Sequence, residues 1–208
     1  FSYHLKNLGF PVRYISRIGN DTHGKEILNM LKRHHFNIDD IQIDDNHDTG
    51  TVIVQLSLSG NPTFHIKPKV AYDYINYLPK EHSSLFDTAV FIYFVSLVQR
   101  SNQGFENIHM FMDLRRSDAI CIYDINLRPD CYSDEVILTS LEHADILKLN
   151  TQELDERKRI YRFSKDNDAF LRCLMDKYAL KFVAITRGDK GSELYTQDGN
   201  FHAKINRV

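Results

Sequence analysis

Three cysteines in 208 residues, at positions 121, 131 and 173, are too few and too scattered to staple a fold. An odd count without a close pair excludes a disulfide framework and a zinc ribbon, and points to a reducing, cytoplasmic compartment. Cys121 lies in an apolar run and reads as a small buried hydrophobe. No apolar run approaches the roughly 18 residues of a membrane span. The opening, FSYHLKNLGF, has neither the charged start nor the apolar middle of a signal peptide. It also lacks an initiating methionine. It reads as a helix already under way, with Leu5 and Leu8 on one face and Gly9 as C-cap, so the chain is expected to start inside a fold. An excess of one charge sign is missing too: Lys plus Arg number 26 and Asp plus Glu 28. Without a basic face or tail there is no electrostatic footprint for nucleic acid. No repeat and no low-complexity tract stands out.

Several catalytic signatures are absent. Ten histidines make no HExxH zinc arrangement, since His34 and His35 merely adjoin. There is no Gly-x-Ser-x-Gly elbow and no Cys-His pairing.

What is present is an ordinary globular composition, 42% hydrophobic and 26% charged. The length suits one α/β core with a small appendage. FPVRYISRIG reads as a short strand running toward Gly19. NDTHGKEILNMLKRHHF follows with Ile27, Leu28, Leu31 and His35 at helical spacing and Asp21 or Thr22 as cap. An aspartate-rich loop then leads to His47-Asp48-Thr49-Gly50. From 51 to 66 the period changes to two. Val52, Val54, Leu56 and Leu58 share one face of a strand, Ser59-Gly60-Asn61-Pro62 turns, and TFHI returns. This antiparallel hairpin resembles an accessory lid, with one face more exposed than a core strand would be.

Beyond Ile66 apolar strands alternate with helices. AVFIYFV, AICIYD, DILKLN and KFVAIT read as buried parallel strands. GFENIHMFMDL, SDEVILTSLEHA, TQELDERKRIYRF and NDAFLRCLMDKYAL read as helices, and SELY with QDGN as a terminal hairpin. The alternation predicts a doubly wound parallel sheet.

In such sheets ligands bind beyond the carboxyl ends of the strands. Three successive predicted strands end in polar residues. The first runs into Asp124, Asn126 and Arg128. Arg128 is either a surface arginine or a planar fork for phosphate. Asn126 either fixes the turn before Pro129 or faces a ligand. Asp124 would orient Arg128 or a water and is not read as a base. The second strand, DILKLN, ends in Asn150, with Glu153 three residues on. This spacing is a capping box, or it places a carboxylate near a hydrated magnesium ion on a nucleotide; the two readings coexist. The third ends in Thr186, Gly188 and Gly191, either a plain turn or a backbone that comes close to phosphates or an adenine. It is not a Walker A loop, because the Gly-Lys-Ser/Thr ending is missing.

Together the segments GNDTHG, HDTG, AYDYI, SLVQR, DINLRPDCY, LKLNTQEL and TRGDKG make the chain resemble ribokinase-like carbohydrate kinases of the PfkB family, nearest to its fructokinase-like members. Ser2, Gly9 and Gly19 fit the spacing of the family's N-terminal signature. The resemblance implies a ribokinase-like three-layer α/β/α sandwich with a small β lid, spread over residues 1–208 as one incomplete domain. It implies ATP and Mg2+, a small sugar, fructose foremost, as acceptor, no nucleic-acid or membrane partner, and a homodimer through the lid. Carried over residue by residue, it gives Arg128 a phosphate-stabilising role. Lys148, Asn150, Glu153, Thr186, Gly188 and Gly191 fall at the nucleotide, with Asn150 and Glu153 reaching the metal through water. Gln99, Arg100 and Asn126 fall at the substrate. Among the aromatic residues, most of them core material, Phe64 and Tyr72 are the candidates for contact with a sugar face.

The chain departs from the family in two places. The Asp-Thr-x-Gly-Ala-Gly-Asp motif that holds the family's general base is missing, so the chain is expected to be truncated at both ends. Val95 stands before Ser96 where the family usually has glycine. A nucleoside or ketodeoxysugar kinase of the same fold, or a non-catalytic truncated sugar-binding protein, are the alternatives.

Overall fold

A computed structural model describes residues 1–56, 62–77, 79–164 and 166–205. By packing, the chain divides into two units, Phe1–Glu81 with Ser101–Asn107, and His82–Arg100 with Ile108–Val208.

The first unit holds α1 (Ser2–Asn7), β1 (Ser16–Gly19), α2 (Thr22–Arg33), β2 (Ile41–Asp44), β3 (Val52–Leu56) and β4 (Pro62–Ile66). The β1 and β2 strands pair in parallel from Ser16↔Ile41 to Gly19↔Asp44. Their core is small: Ile18, Leu31, Phe36 and Ile41, with Ile27 and Leu28 of α2 packed against it. Asp21 caps α2 by accepting from the Gly24 amide at 2.7 Å.

Four expectations for this unit need correction. β1 starts at Ser16, well after Phe10. The aspartate-rich stretch contains a strand, β2, whose Ile41 is buried against β1. His35 is not on the apolar face of α2. It lies past the helix end in a left-handed conformation, φ +58°, and turns the chain so that Phe36 enters the core. Finally, β3 and β4 do pair antiparallel, from Val52↔Ile66 to Leu56↔Pro62, but no face of β3 is buried. Val52, Ile53, Val54 and Leu56 are all exposed. Of the expected turn Ser59-Gly60-Asn61-Pro62, Pro62 is the first residue of β4; the other three, and Leu58, expected on the face of Val52, lie outside the described residues.

The rest of the chain supplies α3 (Pro79–Thr88), β5 (Phe91–Val95), α4 (Asn102–Asp113), β6 (Ile120–Asp124), α5 (Asp134–His143), β7 (Ile146–Asn150), α6 (Thr151–Ile160), α7 (Asn167–Tyr178), β8 (Phe182–Thr186), β9 (Ser192–Thr196) and β10 (Asn200–Ala203). These strands form one sheet in the order β10-β9-β8-β7-β6-β5. The β5 to β8 strands are parallel; β9 and β10 complete the edge antiparallel, as the predicted terminal hairpin. Alternate residues of the central strands are fully buried: Cys121 and Tyr123, Leu147 and Leu149, Val183 and Ile185. Helices supply matching apolar stripes, among them Val136, Ile137 and Leu141 of α5 and Phe170, Leu171, Leu174 and Met175 of α7. α3 was not foreseen in the sequence; its Phe86 stacks on Phe111 with ring centroids 5.6 Å apart. Among the described residues no helix is long and apolar enough to cross a membrane.

Candidate active site

The three polar strand ends are neighbours. β6, β7 and β8 are adjacent in the sheet, and their register sets Asp124 beside Lys148 and Asn150 beside Thr186. Parallel strands bring all three carboxyl ends to one edge, the edge at which open α/β sheets bind ligands.

Asp124 is buried, and it does not orient Arg128. Its Oδ2 accepts from the Tyr93 hydroxyl at 2.6 Å and from Lys148 Nζ at 2.7 Å. Burial and this bond to a carboxylate push the Tyr93 phenol up. Lys148 is thereby held at the strand end with its side chain still 38% exposed.

The loop after β6 is folded against two anchors. Ile125 donates its amide to the Lys148 carbonyl at 3.0 Å, and Leu127 donates to Glu153 Oε1 at 2.8 Å. Between them Asn126 takes a left-handed conformation, φ +37°, and Asp130 does so again at +60°. Arg128 emerges exposed from this loop. Its Nη1 reaches only the carbonyl of Leu127, at 3.2 Å, and it has no carboxylate partner among the described residues. A guanidinium presented in this way is open to an anion.

Asn150 and Glu153 form the reciprocal capping box. Asn150 Oδ1 accepts from the Glu153 amide at 2.9 Å, and Glu153 Oε2 accepts from the Asn150 amide at 2.8 Å. Glu153 is only 7% exposed, and its other oxygen is taken by Leu127. Among the described residues no group of three or more His, Cys, Asp and Glu could hold a metal ion. Magnesium is ordinarily held by one or two carboxylates together with substrate phosphates and several waters. Glu153, with both oxygens bonded to amides, would meet an ion carried on a nucleotide through water and not directly.

At the end of β8 the two glycines differ. Gly191 has φ +92°, and a Cβ there would lie 2.0 Å from the Ala203 carbonyl oxygen. Close packing on β10 therefore explains this glycine by itself. Gly188 has φ +58° and faces open space, so its backbone is approachable. The turn is closed by the Arg187 amide on the Gly191 carbonyl at 2.9 Å and by an ion pair between Arg187 and Glu193.

Gln99, expected at the substrate, points inward. It is 1% exposed, and its Nε2 donates to the Val95 carbonyl at 3.1 Å and to Ser140 Oγ at 3.0 Å. It is the last residue of a short 3-10 turn, Leu97–Gln99, that follows β5. Arg100 beside it donates to Cys131 Sγ at 3.6 Å. Ser96 is also structural: its Oγ lies 2.5 Å from the Tyr123 hydroxyl and 2.7 Å from the Ile125 carbonyl. Val95 is accommodated as the last residue of β5. Sequence reasoning missed Tyr93, which Asp124 needs as a donor; one hydroxyl within an apolar run gave no signal.

In the first unit, GNDTHG and HDTG form one knot. Besides capping α2, Asp21 accepts from the Thr49 amide at 2.7 Å and from Thr49 Oγ1 at 2.8 Å. The Gly19 amide donates to Thr49 Oγ1 at 2.9 Å. These bonds, that of the Thr49 amide foremost, hold the Asp21 carboxyl down at about 2. Phe64 stands on β4 opposite Val54 and is 57% exposed. Tyr72 lies against Gly50, where any side chain would strike its ring.

A sequence model described as pfkB family carbohydrate kinase matches residues 3–207. The chain is 23% identical over 189 residues to a fructokinase of Salmonella typhimurium, covering 90% of this chain and 61% of that protein. It is 23% identical over 205 residues to a 5-dehydro-2-deoxygluconokinase of Bacillus anthracis, covering 94% of this chain and 61% of that one. Among solved structures, an ATP-bound fructokinase from Xylella fastidiosa superposes with a TM-score of 0.84 at 20% identity, over 100% of this chain and 65% of its own. The fold is thus the ribokinase-like α/β fold, a central sheet with flanking helices and a small β region. The chain spans about three fifths of the length of each of these two kinases.

Proposed function

Because this chain belongs to the pfkB family of carbohydrate kinases, we propose that the whole protein transfers the γ-phosphoryl group of ATP to a hydroxyl of a small sugar, with fructose as the first acceptor to test. The observation that carries this reading is the row of adjacent strand ends at Asp124, Asn150 and Thr186, with the exposed Arg128 on the loop beside them. Arg128 and Lys148 would face the phosphates, and the approachable backbone at Gly188 would take the nucleotide side. When bound, Mg2+ supplies neutralisation of charge on the phosphate oxygens. Asn150 and Glu153 would meet it through water while keeping their capping bonds. The rate would come from positioning and preorganised charge, not from covalent chemistry. The general base is assigned to none of these residues, since the Asp-Thr-x-Gly-Ala-Gly-Asp motif does not occur in the 208 residues.

Asn126 and Arg100 are placed near the acceptor on the family resemblance alone. Gln99 is given a supporting role because its amide is spent inside. The resemblance also carries the lid role of residues 51–66, the contact of Phe64 with the sugar and the pairing of two chains through the hairpin. The exposed apolar residues of β3 support that pairing. Three unbridged cysteines, two of them buried, support a reducing cytoplasmic setting. The similarity to 5-dehydro-2-deoxygluconokinases favours a ketodeoxysugar as second acceptor.

The test is ADP formation by the full-length protein against fructose, other hexoses, a ketodeoxysugar and nucleosides. ADP formation dependent on fructose or another sugar is expected. ATP or sugar binding without turnover would replace the reading with a non-catalytic sugar-binding protein, and preference for a nucleoside would move the substrate class.

A further inference from the structure

Arg157 lies in a run of charged residues, TQELDERKRI, yet is only 4% exposed. It follows Glu153 by four residues, so the two side chains share one face of α6. Glu153 holds the start of the β6–α5 loop through the Leu127 amide, at 2.8 Å. Arg157 holds its end. Nη1 donates to Asp134 Oδ1 at 3.0 Å, at the first residue of α5, and the guanidinium lies over the Tyr132 ring at 5.7 Å. The intervening loop contains both left-handed residues, Asn126 and Asp130, and the exposed Arg128.

The arginine is a poor choice for stability alone. Its Nε and Nη2 are buried with no hydrogen-bond partner among the described residues, and its one carboxylate partner is largely exposed. Buried donors left unpaired cost stability, and apolar replacements of buried charges are often neutral or stabilising. What a methionine cannot supply is a directed bond to the far end of a loop that holds two sparsely populated backbone conformations.

We propose that Arg157 is a positioning residue. With Glu153 it clamps both ends of the β6–α5 loop and so fixes Arg128 in the orientation that meets the ATP phosphates. The clamp stands on geometry; its link to ATP rests on the function proposed above.

The test compares full-length wild type with Arg157→Met by amide hydrogen exchange over residues 125–133, by thermal melting and by ATP and sugar kinetics. Exchange in the loop should rise while β6 and β7 stay protected. The melting temperature should hold, and KM for ATP should rise about tenfold with KM for the sugar unchanged. A merely structural role would lower the melting temperature and leave both KM values alone; that result, or unchanged loop exchange, overturns the proposal. Should Arg157→Met fail to fold, Asp134→Asn at the exposed partner carries the same exchange test with the same two outcomes. If the wild type phosphorylates no acceptor, the kinase reading falls, and loop exchange by itself decides whether the clamp stands.

Discussion

Glu153 has two carboxylate oxygens and two backbone donors, the amides of Leu127 and Asn150. Each oxygen serves a different segment, one the loop after β6 and one the start of α6. Glutamine has a single acceptor oxygen, so Glu153→Gln would set its NH2 group against one of those amides. In a buried place the loss should be about 1–3 kcal/mol. Denaturant melts read it directly, and wild-type stability would show that the carboxylate anchors nothing. The sequence made Glu153 legible as a cap through its spacing from Asn150. The bond to Leu127 was not legible, because it depends on where a separate loop lands. Gln99 and Arg157 were obscure for the same reason. Gln99 looked like a ligand-facing polar residue, Arg157 drew no reading of its own, and only tertiary packing turns both inward.

Among the elements, the β8–β9 connection gives a contrast between neighbouring glycines. Gly188→Ala meets no atom and bears only the left-handed backbone cost, roughly 1–2 kcal/mol. Gly191→Ala adds a clash with the Ala203 carbonyl, so it should cost more and loosen the pairing of β9 with β10. Melting of the two variants with amide exchange of Ser192–Ala203 checks this; equal costs would remove the packing explanation. Strands β5 to β8 were readable as apolar runs because helices cover them. The period-two pattern of 52–56 found β3 and one exposed face but not that both faces are exposed, since alternation shows where side chains point and not what covers them. β2 escaped notice as four residues ending in an aspartate. That aspartate, Asp44, is there to take Arg17, at 2.8 Å, and His47, at 3.0 Å.

For the molecule as a whole, two carboxylates tie stability to pH. Burial would raise the Asp44 carboxyl, but bonds from the Asn46 amide, Arg17 and His47 outweigh it and hold it at about 2. Asp21 is held equally low, chiefly by the Thr49 amide. Both lie below the ordinary 3.8, so their contribution is fully present above about pH 4 and is lost as pH falls toward 2. Melting temperatures of the full-length protein should fall steeply across that window, and Asp44→Asn should flatten the fall. An equally steep fall in the variant would remove Asp44 from the account. On the proposed function, the strand ends of β6, β7 and β8 face the phosphates of ATP. The most direct test of this placement is the turnover of fructose and ATP by full-length protein carrying Arg128→Ala. The arginine is exposed and, among the described residues, bonded only to its neighbour's carbonyl, so melting should not change. Loss of one preorganised charge at the transferred group should lower kcat/KM by roughly a hundredfold or more. Turnover equal to that of the wild type would contradict the claim and move the phosphates away from this edge of the sheet.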